Sequence, residues 1–187
     1  MTRIVAGRAG GRKLRVPPRG TRPTSERVRE ALFNALDVAG ELDGARVLDL
    51  YAGSGALGLE ALSRGAEQVL FVEADRRAAD VLRGNIALLG LGGSVRHGKV
   101  ETVVAEPCAE PFDVVVADPP YDLDGERLAS VLGDVVARGW VAGGGLVIVE
   151  RALRDGEPRW PEGLEPLRTK RYGDTALFWA ECVTSRA

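Results

Sequence analysis

The chain has 187 residues, enough for one domain with a hydrophobic core and too few for two of typical size. Its formal net charge is −2, and two distant cysteines, Cys108 and Cys182, with a single histidine exclude the common zinc clusters of Cys and His. No run reaches the roughly 18 apolar residues of a membrane span, and no apolar leader opens the chain, so we expect a cytoplasmic protein.

Charge is distributed unevenly along the sequence. Residues 1–30 contain nine Lys or Arg and two Glu, a net charge of +7, whereas the remainder contains 16 basic and 25 acidic residues, a net charge of −9. This asymmetry indicates a segment that binds a polyanion, joined to an acidic body.

Residues 1–22 predict a basic β-hairpin extension. Two β-prone pieces, 3–6 and 13–16, flank a glycine-rich turn, and two prolines end the second piece. The segment contains no acidic residue, which matches the electrostatic footprint of nucleic-acid binding, although a basic tail that only aids solubility is an alternative. The residues predicted to contact phosphates are Arg3, Arg8, Arg12, Lys13, Arg15 and Arg19.

Residues 23–187 are predicted to form one α/β domain that begins with a helix. Thr24 or Ser25 can cap this helix, because an apolar pattern of helical spacing follows. Arg22, Thr24 and Arg27 lie at the helix start, where cations and backbone N–H groups can hold a carboxylate. An ordinary surface helix start is the other interpretation.

A glycine-rich turn follows the first central strand, predicted at 45–50. Residues 53–58, Gly-Ser-Gly-Ala-Leu-Gly, match the pattern of nucleoside-binding turns, and the next strand, 68–72, ends in Glu73, which can accept hydrogen bonds from ribose hydroxyls. Asp49 would repel a pyrophosphate at this turn but suits the ammonium and sulfonium of S-adenosylmethionine. We therefore favour the methyl donor, with an NAD-dependent oxidoreductase as the alternative.

A strand bounded by prolines carries the predicted catalytic residues. Phe112–Ala117 is short and β-branched, as expected for a strand buried on both faces, and Asp118-Pro119-Pro120-Tyr121 ends it. The prolines hold the chain extended at the edge of the sheet where ligands bind. Asp118 and the Pro119 carbonyl would accept hydrogens from the amino group of a flat base, and Tyr121 would stack on its ring. A turn that only stops the strand is the alternative.

The other segments complete an α/β pattern. The remaining helices are predicted at 77–89, 101–105 and 125–137, and the remaining strands at 94–97, 146–150, 164–170 and 175–182. A glycine turn is expected at 143–145, a loop at 151–163, and antiparallel pairing of the last two strands. Trp140, Trp160 and Trp179 are predicted to pack in the core or at the sheet edge.

Together these motifs resemble the class I S-adenosylmethionine methyltransferases, and more narrowly the bacterial 16S ribosomal RNA guanine-N2 methyltransferases of the RsmD type. The matching segments are 3–7, 10–14, 22–34, 49–58, 71–75, 118–121 and 172–175. The resemblance implies a seven-stranded, mostly parallel Rossmann-like sheet with the last strand antiparallel. It also implies methylation of the exocyclic N2 of one guanine, in an assembled or nearly assembled small ribosomal subunit. We expect a monomer.

The cofactor contacts expected from these motifs are Arg22, Thr24, Arg27, Asp49, Tyr51, Gly53, Gly55, Glu73, Ala74, Val100 and Asp118. Lys99 departs from the family pattern, because related enzymes often have Asp or Asn there to accept from the adenine amino group and lysine has no acceptor. We expect adenine to rest against Val100 and backbone groups. A methyltransferase for another planar amine, such as adenine N6 of DNA or a protein amide, stays open, as does a binding module without chemistry.

Overall fold

Strands and helices alternate through the middle of the chain. The structure, a computed structural model, describes residues 2–18 and 24–183. The strands are β1 (Thr2–Arg3), β2 (Lys13–Leu14), β3 (Arg46–Leu50), β4 (Gln68–Glu73), β5 (Ser94–His97), β6 (Phe112–Ala117), β7 (Val141–Ala152), β8 (Leu164–Tyr172) and β9 (Thr175–Cys182). The helices are α1 (Glu26–Val38), α2 (Ala56–Ser63), α3 (Arg76–Leu89), α4 (Val100–Val104) and α5 (Gly125–Ala137).

Seven strands form one sheet in the order β5-β4-β3-β6-β7-β9-β8. The first five of these run parallel, and β9 runs antiparallel to both of its neighbours. The prediction of a mostly parallel seven-stranded sheet with an antiparallel last strand is confirmed. The strand order reverses between β3 and β6, so a crevice forms where their carboxyl ends diverge, the usual ligand site of such sheets.

Helices cover both faces of the sheet. Side chains of α1, α2 and α3 pack on one face in a first core cluster, and those of α4 and α5 pack on the other. Val114, Val115 and Val116 of β6 are essentially inaccessible, as predicted for a strand covered on both sides. Trp140 and Trp179 are buried in the core as predicted. Within the described residues, no helix is both long enough and apolar enough to cross a membrane.

The glycine turn predicted at 143–145 is wrong, because these residues lie inside β7. Phe112 pairs with Val141 and Val114 pairs with Leu146, so the intervening residues bulge out of the parallel ladder. Gly144 has a φ of +81° within the bulge, a conformation that glycine adopts without strain. Glycines that suggest a turn in the sequence therefore form a bulge inside β7, and the strand continues through them.

The N-terminal hairpin is present but is packed into the body. β1 and β2 pair antiparallel, with Thr2 opposite Leu14, and each strand has two residues rather than the predicted four. Ile4, Ala9 and Leu14 are buried in the same cluster as α1 and α2. Packing against the domain, rather than further hydrogen bonds between β1 and β2, therefore holds the chain between the two strands.

A buried carboxylate fastens this hairpin to the helices. Glu60 of α2 accepts hydrogen bonds from the backbone N–H of Val5 (2.8 Å) and Ala6 (3.1 Å). It also pairs with Arg29 of α1 at 3.3 Å, and both side chains are fully buried. Because α1 leads from the start of the domain and α2 follows the glycine loop, this one side chain joins three segments.

Replacing Glu60 with Ala should lower the free energy of unfolding by about 3–5 kcal/mol, because Arg29 would stay buried without its carboxylate partner. Urea denaturation followed by circular dichroism measures the change. Arg3→Ala is the control, because it breaks only the exposed ion pair between Arg3 and Glu26. It should shift the urea midpoint far less than Glu60→Ala does. Equal shifts for the two variants would contradict the role given to Glu60.

Candidate active site

A cavity of about 480 Å³ opens at the carboxyl ends of β3, β4, β6 and β7. Most of its wall comes from five segments: residues 51–54, 73–75, 99–101, 118–123 and 150–152. The other lining residues are Val16, Thr24, Ala56, Leu57, Arg127, Asp155 and Thr175. The volume is within the range of about 300–1,000 Å³ that is typical of small-molecule sites. The cavity therefore occupies the crevice where the strand order reverses.

The loop from β3 into α2 forms one wall and relies on its glycines. Tyr51, Gly53 and Gly55 have φ values of +60°, +57° and +87°. A Cβ at Gly55 would lie 2.3 Å from Leu82 Cδ1, and one at Gly58 would lie 2.3 Å from the Phe71 ring. These glycines let the loop pack closely on α3 and β4, and the backbone of Gly53 faces the cavity.

Asp49 is fully buried beneath this loop. Its Oδ2 accepts a hydrogen bond from the backbone N–H of Gly58 at 2.9 Å, whereas its Oδ1 has no partner among the described residues. Burial raises the pKa of Asp49 well above its ordinary value, and the nearby carboxylates of Asp118 and Glu73 raise it further. A buried carboxylate oxygen without a donor fits a site that a positively charged group completes.

Glu73 ends β4 and lines the cavity. Its Oε1 accepts from the backbone N–H of Gly53 at 2.8 Å, and its Oε2 accepts from that of Asp75 at 2.7 Å. Each carboxylate oxygen has a second acceptor position, so the fixed side chain can still receive ligand hydroxyls. Ala74 and Val100, the residues predicted to contact adenine, also line the cavity.

Tyr51 lines the cavity beside the glycine loop. Its hydroxyl is buried and has no hydrogen-bond partner among the described residues. Burial raises the pKa of Tyr51, and the negative charge of Glu101 adds to the effect. The hydroxyl therefore stays protonated and is available to donate.

Asp118 follows β6 and belongs to a cluster with Thr24 and Glu150. Thr24 Oγ1 lies 2.7 Å from Asp118 Oδ2 and 2.7 Å from Glu150 Oε2. Ala117 pairs with Val149, so the next residue of each strand is an acid, at the same edge of the sheet. Sequence analysis did not single out Glu150, although an acid at the end of the strand beside Asp118 was a usable signal.

The residues after Asp118 form the mouth of the cavity. Pro119, Pro120 and Tyr121 all line it, and a turn closes as the backbone N–H of Leu123 donates to the Pro120 carbonyl at 3.0 Å. Tyr121 is 76% exposed. A large aromatic ring held at the entrance suits stacking on a planar group that arrives from solution.

The structure brings most of the predicted cofactor contacts together. Those that line the cavity are Thr24, Tyr51, Gly53, Glu73, Ala74, Val100 and Asp118. Asp49 is buried beneath the glycine loop and Gly55 is buried within it, whereas Arg27 is exposed on α1 and is not part of the cavity wall. Thr24 faces two carboxylates rather than a cationic pocket. Arg22 and Arg19 lie outside the described residues.

The hairpin presents basic side chains to solvent. Arg8, Arg12, Lys13 and Arg15 are exposed. Arg3 is exposed too, but it pairs with Glu26 at 2.8 Å, and hydrogen bonding to that carboxylate raises the pKa of Arg3. The positive surface therefore lies mainly on the turn and on β2. The chain that follows β2 forms part of the cavity wall.

A sheet of this order with an antiparallel last strand, and a crevice between a glycine loop and a proline turn, is the arrangement of class I methyltransferases. The chain belongs to the family described as conserved hypothetical protein 95, whose model matches residues 2–181.

Relatives support this assignment along almost the whole chain. Ribosomal RNA small subunit methyltransferase D of Escherichia coli is 40% identical over 176 residues, which cover 93% of this chain and 86% of that protein. A solved structure described as "putative methyltransferase yhhF from Escherichia coli" is 37% identical, with a TM-score of 0.87, and the match covers 98% of this chain and 99% of that one. A Thermus thermophilus structure, described as a hypothetical protein, is 36% identical, with a TM-score of 0.81 and coverages of 97% and 99%.

Replacing Asp49 with Asn should make the ligand-free protein more stable at pH 8 than the parent. The folded pKa of Asp49 is raised, so its contribution to stability is greatest below the unfolded pKa, about 3.9, and is lost as pH rises. Asparagine does not titrate. Urea unfolding at pH 5 and pH 8 should show the variant's advantage growing with pH, and an advantage that shrinks with pH would contradict this account.

Proposed function

We propose that the chain transfers a methyl group from S-adenosylmethionine to the exocyclic N2 of a guanine in small-subunit ribosomal RNA. The observation that carries the proposal is Asp118, held by its strand and the following prolines at the rim of a cavity of cofactor size. The relative from Escherichia coli is named as a small-subunit ribosomal RNA methyltransferase, which supports the substrate class.

The residues around the cavity fit S-adenosylmethionine, whose sulfonium supplies the methyl group. Asp49 would hold the positive side of the methionine moiety, because its buried Oδ1 has no donor within residues 2–18 and 24–183. Glu73 would accept from the ribose hydroxyls, and adenine would rest against Ala74 and Val100. The acids around this crevice disfavour a pyrophosphate, so the dinucleotide alternative is the poorer fit.

The proline turn would orient the substrate. Tyr121 would stack on a guanine swung out of its loop, while the Asp118 carboxylate and the Pro119 carbonyl accept hydrogen bonds from N2. These acceptors direct the nitrogen lone pair, otherwise delocalised into the ring, toward the methyl group. Alignment of this kind can supply roughly 7–11 kcal/mol of the barrier reduction.

The basic hairpin would hold the RNA. Its exposed cations lie on a segment that is packed into the domain, so phosphate contacts would fix the RNA relative to the cavity. This surface favours a nucleic acid over a protein amide as the methyl acceptor. We further propose that the enzyme acts in the cytoplasm as a monomer, on an assembled or nearly assembled small subunit.

Replacing Asp118 with Ala should reduce methyl transfer by roughly 10²–10³-fold, because the amino group loses its fixed acceptor. Tritium transfer from labelled S-adenosylmethionine to isolated small subunits that lack the modification measures the rate. Calorimetry with S-adenosylhomocysteine is the control and should show affinity within about threefold of the parent. Near-parental transfer by this variant would remove Asp118 from the mechanism.

Replacing Arg12, Lys13 and Arg15 together with Ala should weaken binding to small subunits. The slope of log affinity against log salt should flatten by up to about 2–3, one for each lost phosphate contact. Filter binding over a salt series measures both quantities. Arg138, Arg159 and Arg171, exposed on other elements, form a matched triple variant whose slope should stay closer to the parental value. Equal losses in the two variants would assign the effect to net charge alone.

A further inference from the structure

Thr24 joins two acids that lie near the carboxyl ends of neighbouring strands. Its Oγ1 is 2.7 Å from Asp118 Oδ2 and 2.7 Å from Glu150 Oε2, and all three residues line the cavity. Because Asp118 and Glu150 follow paired residues of β6 and β7, the sheet itself sets the spacing of the two carboxyl groups. We call these three residues the Thr24 bridge.

The Thr24 hydroxyl lies within hydrogen-bond distance of both acids but carries a single hydrogen. It therefore donates to one carboxylate at a time. When the other acid carries a proton, the same hydroxyl oxygen can accept it, so the two hydrogen bonds can form together and run in one direction from acid to acid.

Methylation of an amino group releases one proton. As the nitrogen forms its bond to carbon, the bond from carbon to sulfur breaks, the sulfonium becomes a neutral thioether, and the nitrogen must lose a hydrogen to stay neutral. The proposed function places Asp118 against that nitrogen, so this carboxylate is the nearest acceptor for the departing proton.

We propose that the Thr24 bridge is a proton relay that carries this proton from Asp118 to Glu150. The N–H bond breaks toward Asp118, which passes the proton to Thr24 Oγ1 as the threonine hydroxyl gives its own hydrogen to Glu150. Asp118 ends as a carboxylate, threonine is unchanged, and Glu150 ends as a carboxylic acid. The charge on Asp118 is thereby restored, which keeps this acceptor ionised at the end of each transfer.

Threonine suits this position because a hydroxyl both donates and accepts, which a proton relay needs. A side-chain amide between the acids would also bridge them but would not pass a proton onward. Glu150 acts through Thr24 and Asp118, so it is a relay residue that does not touch the base. The inference rests on the proposed methyl transfer and adds Thr24 and Glu150 to it.

The test compares single-turnover methyl transfer to small subunits by Thr24→Val, Thr24→Ser, Glu150→Gln and the Val/Gln double variant. We expect Thr24→Val and Glu150→Gln each to slow transfer by roughly 10²-fold. Glu150→Gln should bind S-adenosylhomocysteine with an affinity within about threefold of the parent. Thr24→Ser should recover most of the rate lost with Val. The double variant should be no slower than either single variant, because both interrupt one path.

Chemical rescue separates a relay from a structural contact. Formate should raise the rate of Glu150→Ala in proportion to its concentration at constant ionic strength, whereas chloride should not, because formate can accept the proton. Thr169→Val and Glu165→Gln, exposed on β8, are matched controls that should transfer at the parental rate.

Three results would overturn the relay while leaving the proposed function intact: parental rates in Thr24→Val and Glu150→Gln, a serine variant as slow as the valine variant, or absence of rescue by formate. If the parent protein transfers no methyl group to the subunits, the proposed function fails first and the relay fails with it.

Discussion

Four carboxylates meet at one edge of the sheet, and most of the site depends on the charge that they concentrate there. Asp49, Glu73, Asp118 and Glu150 lie at or near the carboxyl ends of four adjacent parallel strands. Parallel pairing brings them together although they span 102 residues of sequence. Such a crevice favours a cationic ligand and opposes a pyrophosphate. Asp49 Oδ1 is buried and has no hydrogen-bond partner among the residues that the structure describes. The proton relay that we propose at the Thr24 bridge uses two of these four carboxylates.

The basic hairpin is joined to this acidic crevice by buried polar contacts. Asn85 of α3 is fully buried and bonds to both the backbone N–H and the carbonyl of Arg15, each at 2.9 Å. Its amide also donates to the Ser54 carbonyl in the glycine loop at 2.8 Å. One side chain therefore fixes the end of the hairpin against the loop that would hold the cofactor, and Glu60 fixes the hairpin at its other end. We infer that the proposed RNA surface and the proposed methyl-transfer site keep a constant relative position.

Much of this arrangement was predictable because it is local in sequence. The strand Phe112–Ala117, its proline stop and the glycine turn each carry a pattern within ten residues, and the structure confirms the elements that they predict. What was missed depends on distant partners. Glu60 contacts Val5, 55 residues away, and Thr24 contacts Glu150, 126 residues away, so neither role has a local signal. The glycines at 143–145 were misread because a bulge and a turn use the same residues, and only strand pairing distinguishes them. The roles of the individual site residues stay predictions.

The most direct test of the account is to map the methyl group that the purified protein adds to small subunits lacking the modification. After incubation with labelled S-adenosylmethionine, the ribosomal RNA is digested and its nucleosides and fragments are identified by mass spectrometry. The account predicts N2-methylguanosine at a single nucleotide of the small-subunit RNA. Label on ribosomal protein, on adenine N6, or at guanines spread along the RNA would contradict it.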